Sequence, residues 1–212
     1  MADYRLLIPK IKKYEGGLSK AKTDSASKYP VPDGSGYHTN KGITWQTFKN
    51  SATKIGYTAT PSLFYEMPDQ IWTAILKNLY WDAIQGDKIN SQAVAEMLTD
   101  AIWAGAYNAK YAVKAIQILL NKNGFNLTVD GIVGPNTVNA INKFATGNNE
   151  KLVLDAAYTG RKLHFEKLGG PNLQGWLNRL NSLYGSVQEY LKKIVSAASE
   201  VIKKKTLKLF LQ

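Results

Sequence analysis

The chain has 212 residues, 44% apolar and 20% charged, the composition of a globular protein with a real core rather than a disordered one. No run approaches about 18 uninterrupted apolar residues, which excludes a transmembrane helix, and the absence of cysteine excludes a disulfide framework and a thiol nucleophile. Lys plus Arg is 27 against 16 Asp plus Glu, a formal charge of +11 that points to a polyanionic partner such as nucleic acid, anionic lipid or cell wall.

In chain order, residues 1–17 read as a helix. Tyr4, Ile8, Ile11 and Tyr14 fall within one arc of about 120°, with Arg5, Lys10, Lys12 and Lys13 opposite. Pro9 either begins the regular helix or kinks it, and Gly16-Gly17 stops it. Glu15 is a carboxylate on the apolar face, in the last turn, beside a glycine pair that lets another molecule approach.

Residues 18–44 have no helical period and are too long for a plain loop, which favours a functional loop or a small β-hairpin. Pro30, Pro32, Asp33-Gly34 and Gly36 mark turns, and Thr44 is placed to cap a helix from Trp45. Helices are then expected at about 45–54, 68–82, 90–107, 109–122, 135–145, 148–168 and 173–203. Gly131, Gly134 and Pro135 mark a turn that leads into a helix. The stretch from Gly185 to Gln212 is amphipathic and basic, with Val187, Leu191, Ile194 and Val201 on one face and Lys203-Lys204-Lys205 near its end. Its composition fits an interfacial membrane helix, although such a segment more often packs its apolar face on the protein, and membrane contact is not the expected role.

A glycosidase needs a carboxylic acid that stays protonated near neutral pH, and burial among apolar groups supplies one. Glu15 has the position for it, although the same residue also reads as an ordinary last-turn Glu paired with Lys12 or Lys13. A partner across the cleft holds water or stabilises positive charge on the sugar. Asp24 and Thr39 are the candidates, and Asp33 competes with Asp24, although Asp33-Gly34 is more simply a turn. Flat aromatic faces stack on sugar rings. Trp72 and Trp103 read as core, whereas Tyr37, Trp45, Tyr80 and Trp81 are candidates for the cleft. With His38 and His164 as the only imidazoles, neither a zinc site nor another metal or cofactor is expected. A nucleic-acid-binding module, a phosphate loop, a dinucleotide fingerprint and a Ser-His-Asp arrangement are all absent.

Glu15-Gly16-Gly17, Asp24 and Thr39-Asn40-Lys41-Gly42-Ile43-Thr44, followed by Tyr80-Trp81-Asp82, Gly86-Asp87, Gln92 and Asp100, resemble glycoside hydrolase family 108. Its members are N-acetylmuramidases of lysozyme-like helical fold, some under the older label of secretion activator protein. Further on, Ala115-Ile116-Gln117, Asp130-Gly131-Ile132-Val133-Gly134-Pro135-Asn136-Thr137 and Gly175-Trp176-Leu177-Asn178-Arg179 are similar to the predicted peptidoglycan-binding domain that accompanies the family. The resemblance spans about residues 5–182. It extends to phage lysozymes of glycoside hydrolase family 24, in which Glu, Asp and Thr follow one another. Glu15 and Asp24 keep the first spacing, and Thr39 takes the third role across an insertion. Ala104 departs from the Asn that related chains often carry.

The resemblance implies an all-α, lysozyme-like fold with a small β or irregular insertion near 18–44. It implies a catalytic region at 1–92, a peptidoglycan-binding helical region at 93–182 packed on it, and a basic amphipathic helix at 183–212. The implied reaction is hydrolysis of the β-1,4 bond between N-acetylmuramic acid and N-acetylglucosamine. In that reaction Glu15 is the general acid, assisted by Asp24 and Thr39, and Tyr37, Trp45, Tyr80 and Trp81 contact substrate. The partner is peptidoglycan, whose stem-peptide carboxylates suit a basic enzyme. No nucleic acid is expected, and the protein is expected to be a monomer. The first residues carry no signal-peptide pattern, so the expected location is the cytoplasm, with action on the wall after release through a pore or a non-classical route. The rival class is a non-catalytic peptidoglycan-binding or secretion-linked accessory protein on the same scaffold.

Overall fold

The computed structural model describes residues 1–19 and 29–210; the side chains of 106–107, 194–195 and 197–210 are outside that description. The chain forms two compact units, Met1–Lys88 and Ile89–Gln212. The described residues are mainly helical with one small antiparallel sheet, the fold class implied by the sequence.

In the first unit, Asp3 accepts from the Arg5 N–H at 2.9 Å and starts a 3-10 turn, Tyr4–Leu6. Helix α1 is only Ile8–Lys12, with Pro9 in its first turn, where the missing N–H breaks no helical bond. The single helix expected over 1–17 is therefore two short pieces, and Pro9 begins the regular helix rather than kinking it. Only Leu7 and Ile11 of this segment are buried to about 1% exposure or less, too narrow an apolar seam to hold a longer helix. Past α1 the chain tightens: the N–H groups of Tyr14 and Glu15 donate to the carbonyls of Ile11 at 2.9 Å and Lys12 at 3.3 Å.

The insertion forms strands β1 (Leu18–Ser19), β2 (Thr39–Asn40) and β3 (Ile43–Thr44) in that order. Ser19 faces Thr39, Thr39 faces Thr44 and Asn40 faces Ile43. Lys41 and Gly42 close the hairpin with φ of 48° and 78°, the left-handed pair of a two-residue turn that matches strand twist. The Asn40 side-chain amide donates to the Phe64 and Tyr65 carbonyls at 2.7 and 2.9 Å, and Lys41 Nζ donates to the Met67 carbonyl at 2.8 Å. The Thr39–Thr44 motif is thus a hairpin buckled onto the helices that follow.

Helix α2 (Trp45–Ala52) is capped by Thr44, whose hydroxyl accepts from the Thr47 N–H at 3.2 Å. Helix α3 (Pro61–Glu66), capped by Thr60, was not legible in the apolar period; it is short and buries only Phe64. The expected 68–82 helix is α4 (Asp69–Ile75) running on into a π-helix, Leu76–Trp81. The rings of Trp45, Phe48 and Phe64 cluster at 5.4–5.8 Å in the core.

The second unit contains α5 (Gln92–Trp103), α6 (Ala106–Lys122), α7 (Pro135–Phe144), α8 (Asn149–Leu168) and α9 (Leu173–Phe210). Helices α6 and α8 cross closely at Gly160, where a Cβ would lie 2.4 Å from the Tyr111 carbonyl oxygen. A buried carboxylate links this unit. Asp100 of α5 meets Arg161 of α8 and Arg179 of α9, each at 2.7 Å.

Candidate active site

Glu15 follows the tightened turn after α1 and precedes β1 by Gly16-Gly17. It is half-buried. Among the described residues, a Cβ on either glycine would meet nothing within 4 Å.

Tyr80 lies on the π-helix and feels the charge of Glu15. Burial pushes its phenol up to about 12, and the negative charge of Glu15 adds to that rise. The hydroxyl thus stays protonated, and a donor, throughout the neutral range. A π-helix widens the turn and re-aims the side chains it carries, a device common at functional sites. Thr39 reaches the neighbourhood through the sheet: it pairs with Ser19, four residues after Glu15.

Asp24 lies outside the described residues. Asp33 sits at the tip of a turn closed by Val31 and Gly36. Its Oδ1 accepts from the Ser35 N–H at 3.0 Å and the Ser35 hydroxyl at 2.5 Å, and its Oδ2 accepts from the Tyr65 hydroxyl at 2.7 Å. The Ser35 bonds first, then that of Tyr65, hold its carboxyl below the usual range. This is the turn reading of Asp33-Gly34, with both oxygens engaged. Tyr65 had no motif or period to single it out.

The aromatic candidates divide by burial. Tyr37 is 39% exposed and Tyr80 half-buried, so both have a face to offer. Trp45 is 5% exposed and Trp81 wholly buried, which corrects their expected place in the cleft: neither has a free face for a sugar. The Trp81 indole N–H donates to Asp87 at 2.8 Å and its ring packs edge-on to Tyr4. Gly86 lies flat against that ring; a Cβ there would fall 2.3–2.5 Å from indole atoms. Lys77 binds Asp87 at 3.0 Å and also pairs with Asp82. The Tyr80-Trp81-Asp82 and Gly86-Asp87 motifs therefore build the support behind Tyr80. Trp72 is core, as expected. The first unit also carries an open groove of about 620 Å³, lined by Tyr4, Ile8, Lys12, Asp69 and Lys77 among others, with neither Glu15 nor Thr39 in its lining.

In the second unit the motif residues knit one loop. Buried Gln117 donates to Asp130 Oδ1 at 2.8 Å and to the Ile132 carbonyl at 3.2 Å, and accepts from the Gly131 N–H at 2.9 Å. Arg179 of the Gly175–Arg179 motif supplies one of the two cations on Asp100. Ala104 is exposed at the end of α5.

Residues 8–105 match the Glycosyl hydrolase 108 family, and residues 111–181 match the Predicted Peptidoglycan domain. The protein is thus a peptidoglycan-acting, lysozyme-like protein, with the family's region followed by a peptidoglycan domain. The glycosyl hydrolase 108 region holds Glu15, Thr39 and Tyr80 and extends through α5. No curated protein sequence matches the chain. The fold is similar to that of Brucella abortus SagA, with a TM-score of 0.64 at 20% identity over 89% of this chain and 95% of that one.

Proposed function

We propose that the protein is an N-acetylmuramidase that hydrolyses the β-1,4 bond between N-acetylmuramic acid and N-acetylglucosamine in peptidoglycan. The observation that carries this reading is the match of residues 8–105 to the Glycosyl hydrolase 108 family, within which Glu15 is half-buried and the charge of Glu15 contributes to the raised Tyr80 phenol. Glu15 protonates the glycosidic oxygen as the bond to the anomeric carbon breaks. Tyr80, fixed as a protonated donor, orients the carboxyl or the leaving sugar. Asp24, with the Thr39 hydroxyl, serves the opposite face of the sugar, where water finally adds its oxygen to the anomeric carbon. The saturation of Asp33 by Ser35 and Tyr65 supports Asp24 as the second carboxylate. The family match supports a glycoside hydrolase, and the +11 charge fits a polymer that carries free carboxylates.

Digestion of purified peptidoglycan by the wild type and by Glu15→Gln tests the reading. New reducing N-acetylmuramic acid ends from the wild type alone are expected. Reducing N-acetylglucosamine ends would place the cut at the other bond. Tight binding with no release by either protein would favour a non-catalytic accessory protein. The anomer released reports the carboxyl separation, about 6.5–9.5 Å for inversion and about 5–5.5 Å for retention.

A further inference from the structure

The second unit holds a loop whose construction exceeds what a connection needs. Two side chains of α6 clamp it. Gln117 holds Asp130, Gly131 and Ile132, and Asn121 both donates to the Leu127 carbonyl and accepts from its N–H, each at 2.8 Å. Gly131, at φ 81°, is pressed onto α6: a Cβ there would lie 2.6 Å from Lys110 Cγ and 3.2 Å from Lys114 Cγ. The clamp turns outward two branched apolar side chains, Val129 at 38% and Ile132 at 64% exposure.

The electrostatics point to an anionic ligand. Lys110 and Lys114 run their stems under Gly131, and among the described residues neither ammonium is in an ion pair. The nearby acid is Asp130, whose Oδ1 is turned to Gln117 and to the Ile132 N–H at 2.8 Å. Gln117 and that backbone bond, more than Lys114, hold its carboxyl low. The loop therefore combines two exposed aliphatic groups with two lysines whose stems pass beneath its Gly131. Val129 and Ile132 are not flat rings, so the loop does not offer a sugar-stacking face. Their chemistry matches methyl-bearing residues next to a free carboxylate.

We infer that the Leu127–Gly134 loop, with Lys110 and Lys114, binds the carboxylate-bearing stem peptide of peptidoglycan rather than its glycan strand. The inference rests on peptidoglycan being the partner and locates the contact. It does not depend on Glu15 acting as an acid. Binding is measured with the full chain carrying Glu15→Gln, so that the polymer is not consumed. The probes are intact sacculi and glycan strands stripped of stem peptides by an amidase. Affinity for the stripped strands is expected to be lower by about tenfold, close to 1.4 kcal/mol. Ile132→Ser and the Lys110→Gln, Lys114→Gln pair should each weaken binding to intact sacculi severalfold, and added salt should weaken the parent more than the lysine pair. Both variants change surface side chains, and Val129→Ser serves as a second apolar test if Ile132→Ser lowers the melting temperature. Equal binding to intact and stripped polymer overturns the inference. So does a loss on stripping that the loop variants do not reproduce, since the peptide would then be read elsewhere. Failure of the muramidase reading would appear separately, as no release of reducing ends by the wild type.

Discussion

At the scale of single residues, three positions make separable predictions. Tyr80 keeps its proton because it is buried and faces Glu15. In the proposed mechanism Tyr80 donates to the carboxyl or the leaving sugar, and a hydrogen bond to a charged group is worth about 1.5–3 kcal/mol, so Tyr80→Phe should lower kcat on peptidoglycan by about ten- to a hundredfold while the melting temperature stays within a few degrees. Unchanged kcat would remove Tyr80 from the machinery. Gly86→Ala acts differently. Its methyl would overlap the buried Trp81 ring, and overpacking of this kind costs about 1–3 kcal/mol; denaturant unfolding reads it. Asp100 sets an acid limit. Burial alone would raise its carboxyl, but the Arg161 and Arg179 guanidinium groups hold it below the ordinary carboxylate value. A lowered native value means stability that is present above the unfolded value, near ~3.9, and lost as pH falls through the native one. The melting temperature should therefore drop below about pH 4, and Asp100→Asn should flatten that drop. The same variant should cost about 3–5 kcal/mol at neutral pH, because it leaves Arg161 wholly buried without its counter-charge.

At the scale of elements, legibility followed periodicity and turn chemistry. The helices at Gln92–Trp103, Pro135–Phe144 and Asn149–Leu168 stood out because a full apolar stripe or a Pro and Gly marker bounds them. The Lys41-Gly42 hairpin was only half legible: its glycine marks a turn, but Lys41 in the left-handed region has no composition signal. A π-helix is not readable at all, since one widened turn barely moves the apolar stripe, and so the sequence does not separate half-buried Tyr80 from wholly buried Trp81. Helix α9 shows the same limit in length. Phe165 stacks on Trp176 at 5.4 Å, Tyr158 meets Tyr184 at 4.5 Å, and the Tyr158 hydroxyl donates to Asn181 at 2.8 Å. This antiparallel register exhausts α8, which begins at Asn149, near Leu191 of α9. Removing residues after Leu191 should therefore leave the melting temperature of the remainder nearly unchanged. Removing residues from Gly185 should lower it, because Val187 is wholly buried. Flotation on anionic vesicles, compared with and without residues 192–212, reads the interfacial reading of the removed segment, and equal flotation would discard it.

At the scale of the whole molecule, two kinds of boundary disagree. The glycosyl hydrolase 108 match runs to residue 105, whereas the first compact unit closes at Lys88. The segment in dispute is α5, and its side chains decide where it belongs physically. Its Asp100 is clamped by Arg161 and Arg179, its Met97 carbonyl accepts from Arg161 at 3.3 Å, and Ser91, just before it, donates to Glu150. Arg161 has no exposure and would lose the Asp100 carboxylate if α5 were absent, an uncompensated charge that a helical unit of this size cannot carry. A family boundary records which residues travel together in sequence, while a folding boundary records which charges and apolar faces must be buried together. A fragment beginning at Ile89 should accordingly melt cooperatively with helical circular dichroism, and one beginning at Ala106 should not. If the shorter fragment folds, the Asp100 clamp is dispensable, and the peptidoglycan domain is the smaller unit that its sequence match describes.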